Sequence, residues 1–212
     1  MPNNSAEFSL DDSARMTPFD YAVGLITILV GLALADVCVS LHKLLRQGRA
    51  VRWDGRVILS VALVITVITG MWFSVWQIRI VSAVLQYPFY LTLFLEFMVL
   101  FLVCAACLPD DAVENRNLGT FYEHNRRYLW SLFALFQTSF FCHWVYFWSV
   151  TDAAHRSFYG HRSFVFVGMA VLAPLLLFLL LAFIRSRLFH YMALVTLVAY
   201  FLYIRWGATL GA

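Results

Sequence analysis

Residues 87–111 read YPFYLTLFLEFMVLFLVCAACLPDD. Between Pro88 and Pro109 the run is almost wholly apolar, and Glu96 is its only charge. An apolar stretch of about 18 or more residues reads as a helix long enough to cross a bilayer. A carboxylate at the centre of such a helix needs a partner, a proton or a job, because a charged, unpaired acid there costs at least ~2.5–3.5 kcal/mol. This stretch therefore decides the class of the protein and marks the first residue at which function is sought.

Similar runs recur along the chain. Of its 212 residues 62% are hydrophobic and only 13% charged, with a mean hydropathy of +0.78. An average soluble domain is nearer half apolar and a quarter charged. The excess is laid out in long uncharged runs rather than in amphipathic segments, so it reads as spans and not as a larger core. Residues 1–17 form a polar, acidic tail without the basic and short apolar regions of a signal peptide. Residues 18–206 carry the apolar runs, and 207–212 form a short tail. Cys38, Cys104, Cys107 and Cys142 all lie in or beside apolar runs, which does not suit an extracellular disulfide framework.

The expected fold is all-α: a polytopic bundle of six transmembrane helices near residues 18–44, 56–78, 88–108, 121–150, 163–184 and 187–206. Capping chemistry marks several starts. Thr17 precedes Pro18 and Asp20, Asp54 precedes the second span, and Thr120 with Glu123 has the spacing of a capping box. Pro174 is expected to kink the fifth span. Lys and Arg set the orientation. Lys43, Arg46, Arg49, Arg52, Arg56, Arg116, Arg126, Arg127, Arg185 and Arg187 lie on one side. Arg15, Arg79, Arg156, Arg162 and Arg205 lie on the other. The ten-to-five asymmetry predicts cytoplasmic first, third and fifth loops, with both termini outside. Trp53, Trp76, Trp130, Trp148 and Trp206 fall near span ends, as interfacial aromatics do.

The segments TPFDYAVGLITILVGLALAD, LHKLLRQGR, WFSVWQIR and CLPDD followed by FYEHNRRYLW resemble a family of small uncharacterised bacterial membrane proteins. The resemblance covers most of the chain from Met16 onward. It implies a bacterial inner-membrane protein, and it implies no activity.

Polar residues suggest which faces turn inward. In the first span Gly24, Thr27, Gly31, Ala35, Cys38 and His42 form one small-to-polar stripe, suited to close helix packing or to a homo-oligomer contact through Gly24, Thr27, Gly31 and Ala35. The second span aligns Thr66, Gly70, Ser74 and Gln77; the sixth aligns Ala193, Thr196, Tyr200 and Tyr203. The fourth gathers Ser131, Thr138, Ser139, Cys142, His143, Tyr146 and Ser149 in an arc of about 140°, with Gln137 opposite. The fifth span is nearly featureless and is expected to face lipid. The hydroxyls could line an interior or simply bond their own backbone.

Asp36, Glu96 and His143 are the ionisable residues within the spans, and such residues are functional by default. Glu96 is expected near the midplane, neutral or sharing a proton with His143, with Asp36 toward the cytoplasm. Asp36 could also reach Ser40 and Lys43 on its own helix. Glu96, His143, Asp36, Thr138 and Tyr146 are thus the candidate path for a proton or ion. Arg126 and Arg127 could hold a lipid headgroup or phosphate, or serve only as charges of a cytoplasmic loop. The CAAC spacing of Cys104 and Cys107 has no second pair and no βαβ context, so it reads as packing. No histidine pair has metal or haem spacing, so no metal and no cofactor is expected. Nothing points to nucleic acid, and the loops are too short for a soluble catalytic domain. Three functions remain open: a small proton or cation channel or transporter, a membrane sensor or accessory subunit acting through a partner, and an intramembrane enzyme acting on lipid.

Overall fold

The computed structural model describes residues 18–77, 86–109, 117–150 and 164–206. Thr17, the two tails, and Arg79, Arg116, Arg156 and Arg162 lie outside the described residues. So do the second and fourth connections, 78–85 and 151–163.

Among the described residues six α-helices follow one another: α1 (Pro18–Gln47), α2 (Gly55–Gln77), α3 (Tyr87–Cys107), α4 (Leu118–Val150), α5 (Phe164–Phe183) and α6 (Arg187–Arg205). There is no strand among the described residues, only an isolated bridge between Arg52 and Asn117. Among the described residues four helices are long and apolar enough to cross a membrane: α1, α2, α3 and α6. The apolar described part of α5, Gly168–Phe183, is shorter. α4 is the longest at 33 residues, but it mixes Glu123, Arg126, Arg127, two histidines and many aromatic amphiphiles into its apolar content.

Two boundaries differ from expectation. α1 runs to Gln47 and ends in a 3-10 turn, Gly48–Ala50, where Gly48 takes a φ of 55°. That left-handed backbone suits glycine, which has no Cβ to clash. α4 begins earlier than a Thr120 cap implies. Asn117 Oδ1 accepts from the amides of Gly119 and Thr120 at 3.1 and 3.3 Å, so Asn117 is the cap and Glu123 is released for another task. Asp54 caps α2 as expected, accepting the Arg56 amide at 2.9 Å.

α2, α3 and α4 make the centre of the bundle. α3 packs between α1 and α4, α2 lies against α6 and α3, and α5 docks along α4. The α4–α5 contact is built on stacked rings: Trp130, Phe133 and Phe178 lie with centroids 4.8–6.0 Å apart. Such rings gain from stacking as well as from burial. Phe178 and Leu181 are buried, while Met169, Leu172, Leu176 and Leu179 face out. The featureless fifth span is therefore half interior, a distinction its uniform hydrophobicity did not reveal. Cys104 and Cys107 are buried free thiols, with Cys107 Sγ 4.0 Å from the Ser60 carbonyl of α2.

The first, third and fifth connections meet at one end. The Leu118 amide donates to the Arg52 carbonyl at 3.1 Å. Asn125 Nδ2 of α4 donates to the Ala106 carbonyl at the end of α3, 2.6 Å away. Arg126 reaches the Ile184 carbonyl that follows α5.

Candidate functional site

Two buried polar centres lie within this frame. The first joins α3 to α4. His143 Nδ1 lies 2.9 Å from Glu96 Oε1, and Glu96 is fully buried. One proton lies between these two atoms, carried either by the imidazole nitrogen or by the carboxyl. The other carboxyl oxygen, Oε2, is buried without a hydrogen-bond partner. A net-neutral pair suits this enclosure, because an isolated ion there would forfeit its hydration. Phe89, one helix pitch before Leu93 on the same face of α3, stands edge-on to His143 with centroids 4.3 Å apart and closes that side. Glu96 is the tenth residue of α3, about 16 Å by helical rise from Cys107 at the end where the odd connections meet.

The remaining members of the expected path do not join this pair. Asp36 is half-buried on α1, within electrostatic reach of Cys104, and Cys104 lies two turns beyond Glu96, about 12 Å along α3. Thr138 is exposed and donates to the Ala134 carbonyl of its own helix at 2.8 Å. Tyr146 is exposed too, its ring tilted against Phe89 at 6.3 Å. Much of the expected inward arc of α4 is turned outward, although His143 reaches Glu96. Ser131, Thr138, Cys142, Tyr146 and Ser149 are exposed, whereas Gln137 is buried. Gln137 Nε2 donates to the Val171 carbonyl of α5 at 2.8 Å. Outside the core, hydroxyls satisfied by their own backbone carry little penalty, and a two-donor amide profits more from an interhelical bond. Thr66, Thr69 and Ser74 of α2 likewise bond carbonyls one turn back.

The stripe on α1 is also uncovered. Gly24, Thr27, Gly31, Ala35, Cys38 and His42 are exposed, and a Cβ added at Gly24 or Gly31 would meet nothing within 4 Å. Thr27 alone is held, accepting from Trp72 Nε1 of α2 at 3.2 Å. A close contact within the chain is thus not what this stripe serves among the described residues.

The second centre, at the end where the odd connections meet, was not anticipated as a unit. Arg56 is 1% exposed. Its Nε and Nη2 grip Asp54 Oδ1 and Oδ2 at 3.1 and 2.8 Å, and its Nη1 donates to Glu123 Oε1. Its guanidinium lies over the Tyr122 ring, 4.7 Å from the centroid, a cation–π placement. The Arg56 hydrogen bond holds the Asp54 carboxyl below the usual carboxylate range, against the opposing effect of burial. Arg126 donates to the Ile184 carbonyl at 2.6 Å and approaches Glu123 at 3.7 Å. His190 Nε2 donates to the same carbonyl at 2.8 Å, which leaves Nδ1 to accept from the Tyr122 hydroxyl at 2.6 Å. That hydroxyl in turn accepts from Trp130 Nε1 at 3.2 Å. Tyr191 of α6 adds a long bond to Asp54. The network ties α2, α4, α5 and α6 together.

It also separates the two arginines that were paired on paper. Arg126 is buried in the network, while Arg127 is exposed. Neighbours on a helix point about 100° apart, so the two side chains leave α4 in different directions. The sequence signal for the network was present in short form: acid and base two apart at Asp54 and Arg56, and three apart at Glu123 and Arg126.

Among the described residues no three His, Cys, Asp or Glu side chains cluster as metal ligands would. Compared with protein-family models, with curated proteins and with solved structures, the chain matches none. Its function is therefore argued from the geometry alone.

Proposed function

We propose that this is a six-span bacterial inner-membrane protein, both termini outside, that works as a sensing or accessory component through a partner. In it the Glu96–His143 pair holds one exchangeable proton and fastens α3 to α4. The observation that carries this is the enclosure of the pair. Glu96 has no exposed surface, one of its oxygens is on His143 and the other on nothing. Neither residue, nor Asp36, lines the clefts described below. A conducting path needs a chain of hydrated sites, and here Asp36, Thr138 and Tyr146 stand apart from the pair. Transport of protons or cations is accordingly the second choice, and lipid chemistry at Arg126 and Arg127 the third.

Six spans are supported by the meeting of all three odd connections at one end, and by the absence of charge in α4 from Tyr128 to its end. The Lys and Arg asymmetry supports the orientation. The open α1 face, with bare glycines, supports close approach by another membrane helix.

The experiment compares wild type with Glu96→Gln in two assays. In proteoliposomes loaded with a pH-sensitive dye, wild type is expected to show no proton or cation flux above empty vesicles. In detergent, Glu96→Gln should lower the melting temperature, since the amide keeps the shape of the side chain but weakens the charge-assisted contact that fastens α3 to α4. Flux in wild type that Glu96→Gln abolishes would overturn the proposal in favour of transport.

A further inference from the structure

Between α2 and α6 a cleft opens on the side of the bundle, and its floor runs inward to the Pro174 turn of α5. The outer part holds about 250 Å³ between Ile65, Thr69, Phe73 and Leu202. The inner part adds about 70 Å³ beside Val67, Met71, Phe136, Phe140 and Val171. Thr66, Gly70 and Arg205 line both parts. Together the two reach the lower end of the range for small-molecule sites.

Three features define what this cleft would accept. First, its one charged lining residue is Arg205. α2 continues from Gly70 to Gln77, about 10 Å beyond the level of Arg205, so the guanidinium sits below the end of its neighbour. A cation at that depth favours an anion, and its five N–H donors allow a ligand contact beside any other. Second, the inner polar groups are already occupied with each other. Pro174 has no N–H, so the Ala170 carbonyl four residues earlier loses its helical donor; the Tyr200 hydroxyl of α6 supplies one at 2.7 Å. Gln137 supplies the Val171 carbonyl. The inner wall thus makes few polar demands and presents aliphatic and aromatic carbon. Third, Gly70 keeps the passage between the two parts open. A Cβ there would lie 3.3 Å from Arg205 Nε and 3.5 Å from its Cγ, so any side chain would push the arginine stem aside.

We propose that this cleft binds an anionic phospholipid, its phosphate on Arg205 and one acyl chain laid inward past Gly70. The match is one of charge and shape: a bidentate phosphate-binding group at the mouth, and a narrow apolar groove behind it. The site is separate from the Glu96–His143 pair and does not depend on the role proposed for it.

The test uses the full chain in neutral detergent, with bound lipid counted by native mass spectrometry. Phosphatidylglycerol, phosphatidylcholine with the same chains, and glycerol phosphate are added in turn. Phosphatidylglycerol is expected to bind about tenfold tighter than phosphatidylcholine, because both carry the phosphate but the choline cation of the latter cancels the net charge that Arg205 attracts, and glycerol phosphate is expected not to bind. Arg205→Gln should bring the two lipids within about twofold. Gly70→Leu should weaken both while circular dichroism reports unchanged helix content. Should Arg205→Gln fail to fold, Arg205→Met, which keeps the apolar stem but removes the cation, should likewise bring the two lipids within about twofold. An undiminished preference in the Arg205 variants, unaltered binding in Gly70→Leu, or glycerol phosphate binding as tightly as the lipid would each overturn the proposal.

Discussion

Arg56→Met tests whether the buried charge network holds the odd-connection end together. Methionine keeps most of the side-chain length and apolar contact but removes three charge-assisted hydrogen bonds, two to Asp54 and one to Glu123. At about 1.5–3 kcal/mol each, their simple sum would be an upper bound. The orphaned acids are not stranded, however. Asp54 keeps the residue 56 amide and Tyr191, and Glu123 is 38% exposed with Arg126 beside it. Water can therefore replace part of what is lost, and the expected cost falls to about 3 kcal/mol, the low end for breaking a buried pair. Equilibrium unfolding in mixed micelles measures it. Asp54→Asn and the double variant complete a cycle, in which a coupling of at least about 1 kcal/mol is expected between residues in direct contact. A loss below about 0.5 kcal/mol for Arg56→Met, the size of an ordinary surface change, would refute the view that the network fastens these helices.

Two further outcomes follow from the same structure. Because Asp54 is held below its usual range by Arg56, its contribution is fully present above about pH 4 and is lost as pH falls through its folded value; Asp54→Asn should remove that acid limb from a stability–pH profile without altering the neutral region's shape. Tyr200→Phe should cost about 1 kcal/mol, near the usual value for an interhelical bond in a membrane protein, and should cost measurably less in a Pro174→Ala background, where the restored amide can serve the Ala170 carbonyl itself; equal costs in both backgrounds would detach Tyr200 from the proline turn.

Much of this protein was written locally. The runs of apolar residues placed six helices to within a few residues, because a helix in an apolar setting depends mainly on its own backbone bonds and on length. Asp54 at the start of α2 was legible for the same reason, since a cap acts over three residues. Glu96 with His143 was legible by elimination: an acid in the middle of an apolar run needs a partner, and one histidine lay in the apolar part of the next helix. What the chain alone did not carry was which face of each helix turns inward. In water a polar arc points outward and an apolar stripe inward, but lipid and protein interior are alike in polarity, so packing rather than hydropathy sets the rotation. Hence α4 turns Ser131, Thr138 and Tyr146 out and buries Gln137, whose amide answers a carbonyl of α5, and hence the α1 stripe lies open. Tertiary structure also turned Arg56 and Arg126, each legible as a loop charge, into buried members of one network. Asp54 and Glu123 each lie close in sequence to one arginine, but the Arg56–Glu123 bond joins residues 67 apart and the Arg126–Ile184 bond residues 58 apart, and only the folded bundle brings those groups within bonding distance.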